Sequence, residues 1–291
     1  MSHVKQITDF FKKVRRYGKS LYFRFYDDEI PALGAQMAYY LVLAFFPFLI
    51  FLMTLLGYSP ISSEEVLRIL IKILPQNAYS LIANNVEGVL DSRKSGLLSM
   101  GFVATFWAAS NGMGAVIRGL NKAYDVEEVR PFWKVKGESL VFTIALALII
   151  LLSFVLLIFG RMIGVYLTQW LGLTDYFLSI WNQLRIIMML AFMVLIFSAL
   201  YFYGPNYTLR WIDVIVGSIF STFGWLTTSL GFAYYVNNFA NFSRVYGGIG
   251  GIIVLLVWLF ISSMIILVGG EINAVFCFER EGKEKVRRKR Y

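Results

Sequence analysis

Glu271 is the residue in this chain that most demands a chemical explanation. It interrupts "SSMIILVGGEINAVFCF", residues 262–278, an apolar run that resumes past Asn273. A lone ionised side chain at the centre of a membrane helix costs ~2.5–3.5 kcal/mol on insertion scales, so it requires a partner, water or a functional reason. Two further charges, Arg118 and Asp213, stand in or beside similarly apolar stretches. The remaining reactive types are few. There is one histidine, His3, in a basic tail, and one cysteine, Cys277. Histidine acid–base catalysis, multi-cysteine metal sites and a disulfide framework therefore have no residues to build on. Asp213 and Glu271 fall at similar depth, but no nucleophile with an adjacent base accompanies them. The reading is a protein without catalytic residues, metal or cofactor.

The elements that must position these charges are membrane helices. The chain is 58% hydrophobic and 15% charged, with mean hydropathy +0.66. That is too little polar surface for a soluble domain of 291 residues. A helix needs ~20 apolar residues to cross the hydrocarbon core. Six windows qualify, near 34–57, 97–119, 138–160, 184–204, 212–236 and 247–276, predicting an all-α, polytopic bundle of six spans. The organisation expected is a basic N-terminal segment 1–33, a membrane domain 34–278 and a basic tail 279–291.

Seven of the 27 basic residues precede Pro31 and seven follow Phe278. The connection 120–137 carries four, whereas 161–183 and 237–246 carry one each. Lysine and arginine concentrate on the cytoplasmic side, so both termini are expected there. The net charge of +9 thus reads as attraction to anionic headgroups rather than to nucleic acid. No cleavable signal peptide is expected, because the first thirty residues lack an apolar core segment. The first external connection contains "SSEEVLRILIKILPQNAYSLIANNVEGVLDS". It reads as two amphipathic helices broken at Pro75, lying on the outer leaflet or re-entering the bundle where protein shields them.

Helices associate in lipid through close packing and polar contacts. In the second span Trp107, Asn111, Gly114, Arg118, Asn121 and Asp125 recur at helical spacing and define one face. The fifth has Asp213, Gly217, Ser221, Gly224, Thr228 and Gly231. The sixth has Gly247 and Gly251, then Trp258, Ser262, Gly269 and Asn273, while the first contributes Gln36, Tyr40 and Pro47. Spans 3 and 4 read as lipid-facing. Arg118 and Glu271 both reach the inner end, and Gly269 and Gly270 would admit a close neighbour, so an Arg118–Glu271 pair is expected, with Asn121 and Asn273 completing its hydrogen bonds. Three roles remain open for Glu271: a closing clamp, a headgroup-level residue, or a gate with which a solute's charges compete. Pro47 frees a backbone carbonyl, giving a kink or a hinge. Tyr39, Tyr40, Trp107 and Trp258 would suit an organic cation, or form an interfacial belt.

Four stretches in order carry a family resemblance: "ALGAQMAYYLVLAFFPFLIF", "FWAASNGMGAVIRGLNKAYDVEEVRPFWK", "YGPN" and "VYGGIGGIIVLLVWLFISSMIILVGGEINA". Together they resemble the YihY/BrkB family of bacterial inner-membrane proteins, over nearly everything outside the tails. The "YGPN" turn departs from the commoner valine–proline–asparagine pattern at its glycine. The resemblance implies a six-helix membrane bundle and links to serum resistance, envelope lipid handling and salt or alkali tolerance. The family's old ribonuclease BN label finds no ligand cluster here to support it. The function expected is a permease or exporter of a small solute, osmolyte, ion or lipid along helices 1, 2, 5 and 6. The competing reading is a non-transporting scaffold. The glycine-rich faces suggest a homo-oligomer.

Overall fold

A computed structural model describes residues 2–57, 95–145, 148, 164–166, 170, 175–238 and 250–282. Six long helices carry the architecture: α1 (Ser2–Asp27), α2 (Ile30–Gly57), α3 (Ser95–Ala123), α4 (Asp175–Tyr203), α5 (Trp211–Asn238) and α6 (Gly250–Glu281). Residues 132–145 form a further helical stretch, and no strand occurs among the described residues. Helices α2 to α6 each contain a segment long and apolar enough to cross a membrane. The expected third span, 138–160, is helical as far as 145 and otherwise lies almost wholly outside the described residues, as do the 58–94 connection, Gly247 and the tail beyond 282. The fold is that of an all-α, polytopic membrane protein.

The expected basic segment 1–33 is mostly helix α1. Its inward face runs through Tyr17, Arg24 and Asp28, while Tyr22 and Tyr26 are exposed. The chain turns sharply at Glu29, whose φ is 54°, and Pro31 opens α2, where its missing N–H costs nothing. Pro47 does not break α2, which is continuous to Gly57.

The contacts divide the chain into two compact units. One comprises residues 1–31, 116–225 and 265–291. It holds the whole of α1 and α4, the ends of α3 and α6 and the start of α5. The C-terminus of α3 closes in a Schellman motif: Val126 N donates to Asn121 O at 3.0 Å and Asp125 N to Lys122 O at 3.1 Å. Asp125 takes the left-handed conformation, φ 54°, that this motif requires. Helix α5 begins with a half capping box, in which Asp213 Oδ2 accepts from Arg210 N at 3.0 Å.

The other unit comprises residues 32–115 and 226–264. Its contacts are mainly apolar. A Cβ added at Gly101 would stand 3.0 Å from Phe51 N, so any larger residue there would press on the α2 backbone. Trp258 Nε1 donates to Ser229 Oγ at 3.2 Å, joining α6 to α5.

Candidate functional site

The first unit holds a buried carboxylate, Glu271, which is 0% exposed. Its cation is Arg24, whose Nη1 stands 3.3 Å from Glu271 Oε2. The expected Arg118–Glu271 pair is thus corrected. Arg118 lies on an exposed face of α3, whereas Arg24 is 3% exposed. Arg24 sits on the inward stripe of α1, a signal the sequence held in the spacing from Tyr17.

Arg24 has two other attachments. Nη1 donates to the Ala123 carbonyl at 2.9 Å, where the unsatisfied end of α3 is negative. Its guanidinium carbon lies 4.9 Å from the Phe278 ring centre, a cation–π contact. Its Nε has no hydrogen-bond acceptor. Tyr124, just past α3, stacks on Tyr207 at 5.2 Å and meets Phe278 edge-on at 6.3 Å. The Tyr124 hydroxyl is buried without a hydrogen-bond partner. Burial, then the neighbouring Cys277, Asp213, Glu271 and Tyr201, push this phenol far above its usual range.

Glycine makes this arrangement possible. A Cβ at Gly217 would strike the Gly269 carbonyl and the Asn273 amide, and one at Gly269 would strike Ser221 and Tyr201. A Cβ at Gly270 would run into Leu120. Helices α5 and α6 therefore approach at backbone contact, as the small-residue stripes anticipate. Asn273 Oδ1 accepts from Gly217 N at 2.7 Å, and its Nδ2 is buried without an acceptor. Tyr201 Oη donates to Ile266 O at 2.7 Å and shares a 2.6 Å hydrogen bond with Ser221 Oγ. Span 4 is thus not wholly lipid-facing, because its last turn anchors α6. One tyrosine among the aromatic residues that close this apolar run gave little warning of that.

Asp213 and Asn121 have other partners than the expected gate. Asp213 pairs with Arg280 and, at 3.5 Å, with Arg210. Asn121 Nδ2 donates to Glu128 Oε2 at 2.7 Å, and Oδ1 accepts from Asn206 N at 2.7 Å. Asn121 therefore ties the connection after α3 to the one after α4.

A model of the virulence factor BrkB family matches residues 21–290. The chain belongs to the BrkB family. It is 43% identical over 257 residues to the ribonuclease-like protein YfkH of Bacillus subtilis, covering 88% of this chain and 94% of that one. It is 24% identical over 273 residues to a UPF0761 membrane protein of Tolumonas auensis, covering 89% and 85%. A similar protein of Aliivibrio salmonicida, UPF0761 membrane protein VSAL_I2938, is 26% identical over 264 residues, covering 86% and 80%. No solved structure matches.

Other expected path residues of this BrkB-family protein are not gathered inward. Gln36 is exposed, Asn111 and Gly114 are half-buried, and Trp107 and Tyr39 are 59% and 60% exposed. The face from Trp107 to Asp125 therefore does not turn inward as one stripe. Neighbours such as Ala108, Ala115, Val116 and Ile117 are buried instead. Tyr40 is half-buried, 3.5 Å from where a Cβ on Gly112 would lie. Gly251 meets no described residue within 4 Å, and Gly247, its partner in the expected pair, lies outside the described residues. Pro47 lines an open groove of about 690 Å³ with Leu43, Met100, Val103, Ala104 and Trp107. That groove is apolar, not the hydrophilic path expected. Among the described residues, no three His, Cys, Asp or Glu side chains converge as metal ligands.

Proposed function

We propose that this BrkB-family protein is a transport-type protein of the bacterial inner membrane, a permease or exporter of a small organic solute, ion or envelope lipid. The carrying observation is the buried Arg24–Glu271 pair, with two donors of the same cluster lacking acceptors, Arg24 Nε and Tyr124 Oη. Ionisable residues inside membrane helices are expensive, and they recur where a substrate or ion passes. A purely structural clamp would be more stable with its donors satisfied or replaced by apolar side chains. Here the pair acts as a gate at the inner end. Both termini lie in the cytoplasm, on the evidence of the basic residues flanking the spans. The basic tails hold anionic headgroups, the protein works as a homo-oligomer, and nucleic acid is not a partner.

We assign no enzymatic step. The ribonuclease-like name belongs to the Bacillus relative, and no three metal-ligating side chains converge among the described residues. The test is solute flux in proteoliposomes, across osmolytes, organic cations and labelled lipids, comparing wild type with Arg24→Gln and Glu271→Gln. Changed flux in both variants is expected. Unchanged flux in both removes the gate. Absence of flux for every solute, with a protein co-purifying, favours a membrane scaffold instead.

A further inference from the structure

Helix α1 presents two unlike faces. Its inward side packs on α6: the Tyr17 ring lies 5.0 Å from that of Phe276, and the Arg24 guanidinium lies 4.9 Å from Phe278. Arg15, Lys19, Tyr22 and Tyr26 follow one another at spacings of four, three and four. At helical pitch these four positions share about 60° of the helix surface. That ribbon stands opposite Tyr17, Arg24 and Asp28, and all four of its side chains are exposed. Tyr22 and Tyr26 remain 61% and 50% exposed although their rings meet edge-on at 5.1 Å. Lys19 Nζ stands 6.0 Å from the centre of the exposed Phe23 ring. Arg15 and Lys19 form no ion pair among the described residues. Nearby carboxylates do not offset them: Asp27 falls off the ribbon, and Glu29 is engaged by Lys122 at 2.5 Å.

The chain itself sets the level of this ribbon. Ile30, four positions after Tyr26, opens the apolar segment Ile30–Phe48. Tyr26 therefore stands close to where α2 enters hydrocarbon. Two other exposed rings of the same unit mark such a boundary. Tyr203 closes the apolar segment Gln183–Tyr203, Trp211 opens Trp211–Val236, and the two meet edge-on at 6.1 Å. Aromatic rings with a polar tip gather where membrane meets water. Arginine and lysine lay their stems along apolar surface there and extend their charges to phosphate. A helix that combines both on one exposed face suits a layer of anionic headgroups.

We propose that α1 is an in-plane anchor, whose Arg15–Lys19–Tyr22–Tyr26 ribbon docks on anionic phospholipid of the cytoplasmic leaflet. The guanidinium and ammonium groups meet headgroup phosphate, and the tyrosine rings enter the boundary between headgroups and acyl chains. From its other side the same helix holds Arg24 against α6. The docking deepens the headgroup contact proposed above for the basic tails, and depends on that reading only for the leaflet it meets.

The experiment places a fluorophore on the ribbon of the full-length chain, through Tyr22→Cys in a Cys277→Ser background. The protein is reconstituted in vesicles of phosphatidylcholine and phosphatidylglycerol in equal parts. A nitroxide quencher is carried on the acyl chain of one lipid or the other. Quenching should be stronger when phosphatidylglycerol carries the nitroxide. Arg15→Gln with Lys19→Gln should abolish that preference, so that the two lipids quench equally. Both side chains are exposed, so the packed face of α1 is untouched. Should the Tyr22→Cys chain fail to reconstitute, a label through Tyr26→Cys repeats the measurement. Equal quenching while Arg15 and Lys19 are present, or a preference that survives their substitution, overturns the proposal. Quenching by aqueous iodide and by neither lipid also overturns it, and turns the ribbon toward water or a protein partner. Solute flux enters neither readout. A lipid preference without flux removes the transport reading alone, and flux without the preference removes the docking alone.

Discussion

Two polar clusters lie in the same unit and are built on opposite principles. Around Arg130, three guanidinium nitrogens have acceptors: Nε and Nη2 reach Glu128 at 2.7 Å each, Nη1 reaches Glu138 at 2.6 Å, and Nη2 also reaches Gly204 O at 2.9 Å. Around Arg24, one nitrogen serves two acceptors and Nε has none. The first cluster is satisfied and partly wetted, and it fixes two connections. The second is drier and incompletely satisfied. Completeness marks a brace, whereas incompleteness in a dry interior marks a place with more than one state.

The largest effect should come from breaking the dry pair. Removing one partner leaves a buried, uncompensated charge, which typically costs about 3–5 kcal/mol. Arg24→Ala should therefore unfold far earlier than wild type in a denaturant titration in detergent, and the double variant Arg24→Met, Glu271→Met should recover much of that loss. Recovery absent from the double variant would mean that the pair is not what Arg24→Ala destroys.

Next in size is the helix contact that carries Glu271. Gly217→Val places branched carbons against the Gly269 carbonyl, and overpacking of this kind costs about 1–3 kcal/mol. The same change at Gly251, where no described residue lies within 4 Å, should leave the unfolding midpoint nearly unmoved. Equal effects at both would contradict the placement of the close approach.

The satisfied cluster should respond more mildly. Asn121→Ala strands Asn206 N and removes a donor to Glu128, and an unsatisfied buried group costs about 1–3 kcal/mol, toward the lower end where water can enter. The hydrogen bond from Arg130 holds the Glu128 carboxyl below the usual carboxylate range. A depressed folded value means stability is present above the unfolded pKa and is lost as pH falls through the folded one. Acid unfolding should thus carry a contribution that Glu128→Gln removes, read as a flatter dependence of the midpoint on pH.

Much of the fold was legible because hydrocarbon imposes length and composition on a span. The five apolar helices recover expected windows to within a few residues, except that α4 begins nine residues before its window. Gly217, Ser221, Gly269 and Asn273 were legible as a packing seam because small residues recur at helical spacing. Partner choice was not. Arg24 and Glu271 are 247 residues apart, and spacing along a chain carries no information about which distant cation arrives. Arg118 was attractive because it shares depth with Glu271, but depth leaves rotation about the helix axis undetermined. Asn121 fell on the expected face and serves a different purpose, since the connections it braces had no visible helical period.

A double-mutant cycle on stability tests the partner assignment most directly, using Arg24→Gln with Glu271→Gln beside Arg118→Gln with Glu271→Gln. The structure predicts a coupling energy of about 0.5–3 kcal/mol for the first pair and additivity for the second. Additivity for Arg24 together with coupling for Arg118 would contradict it.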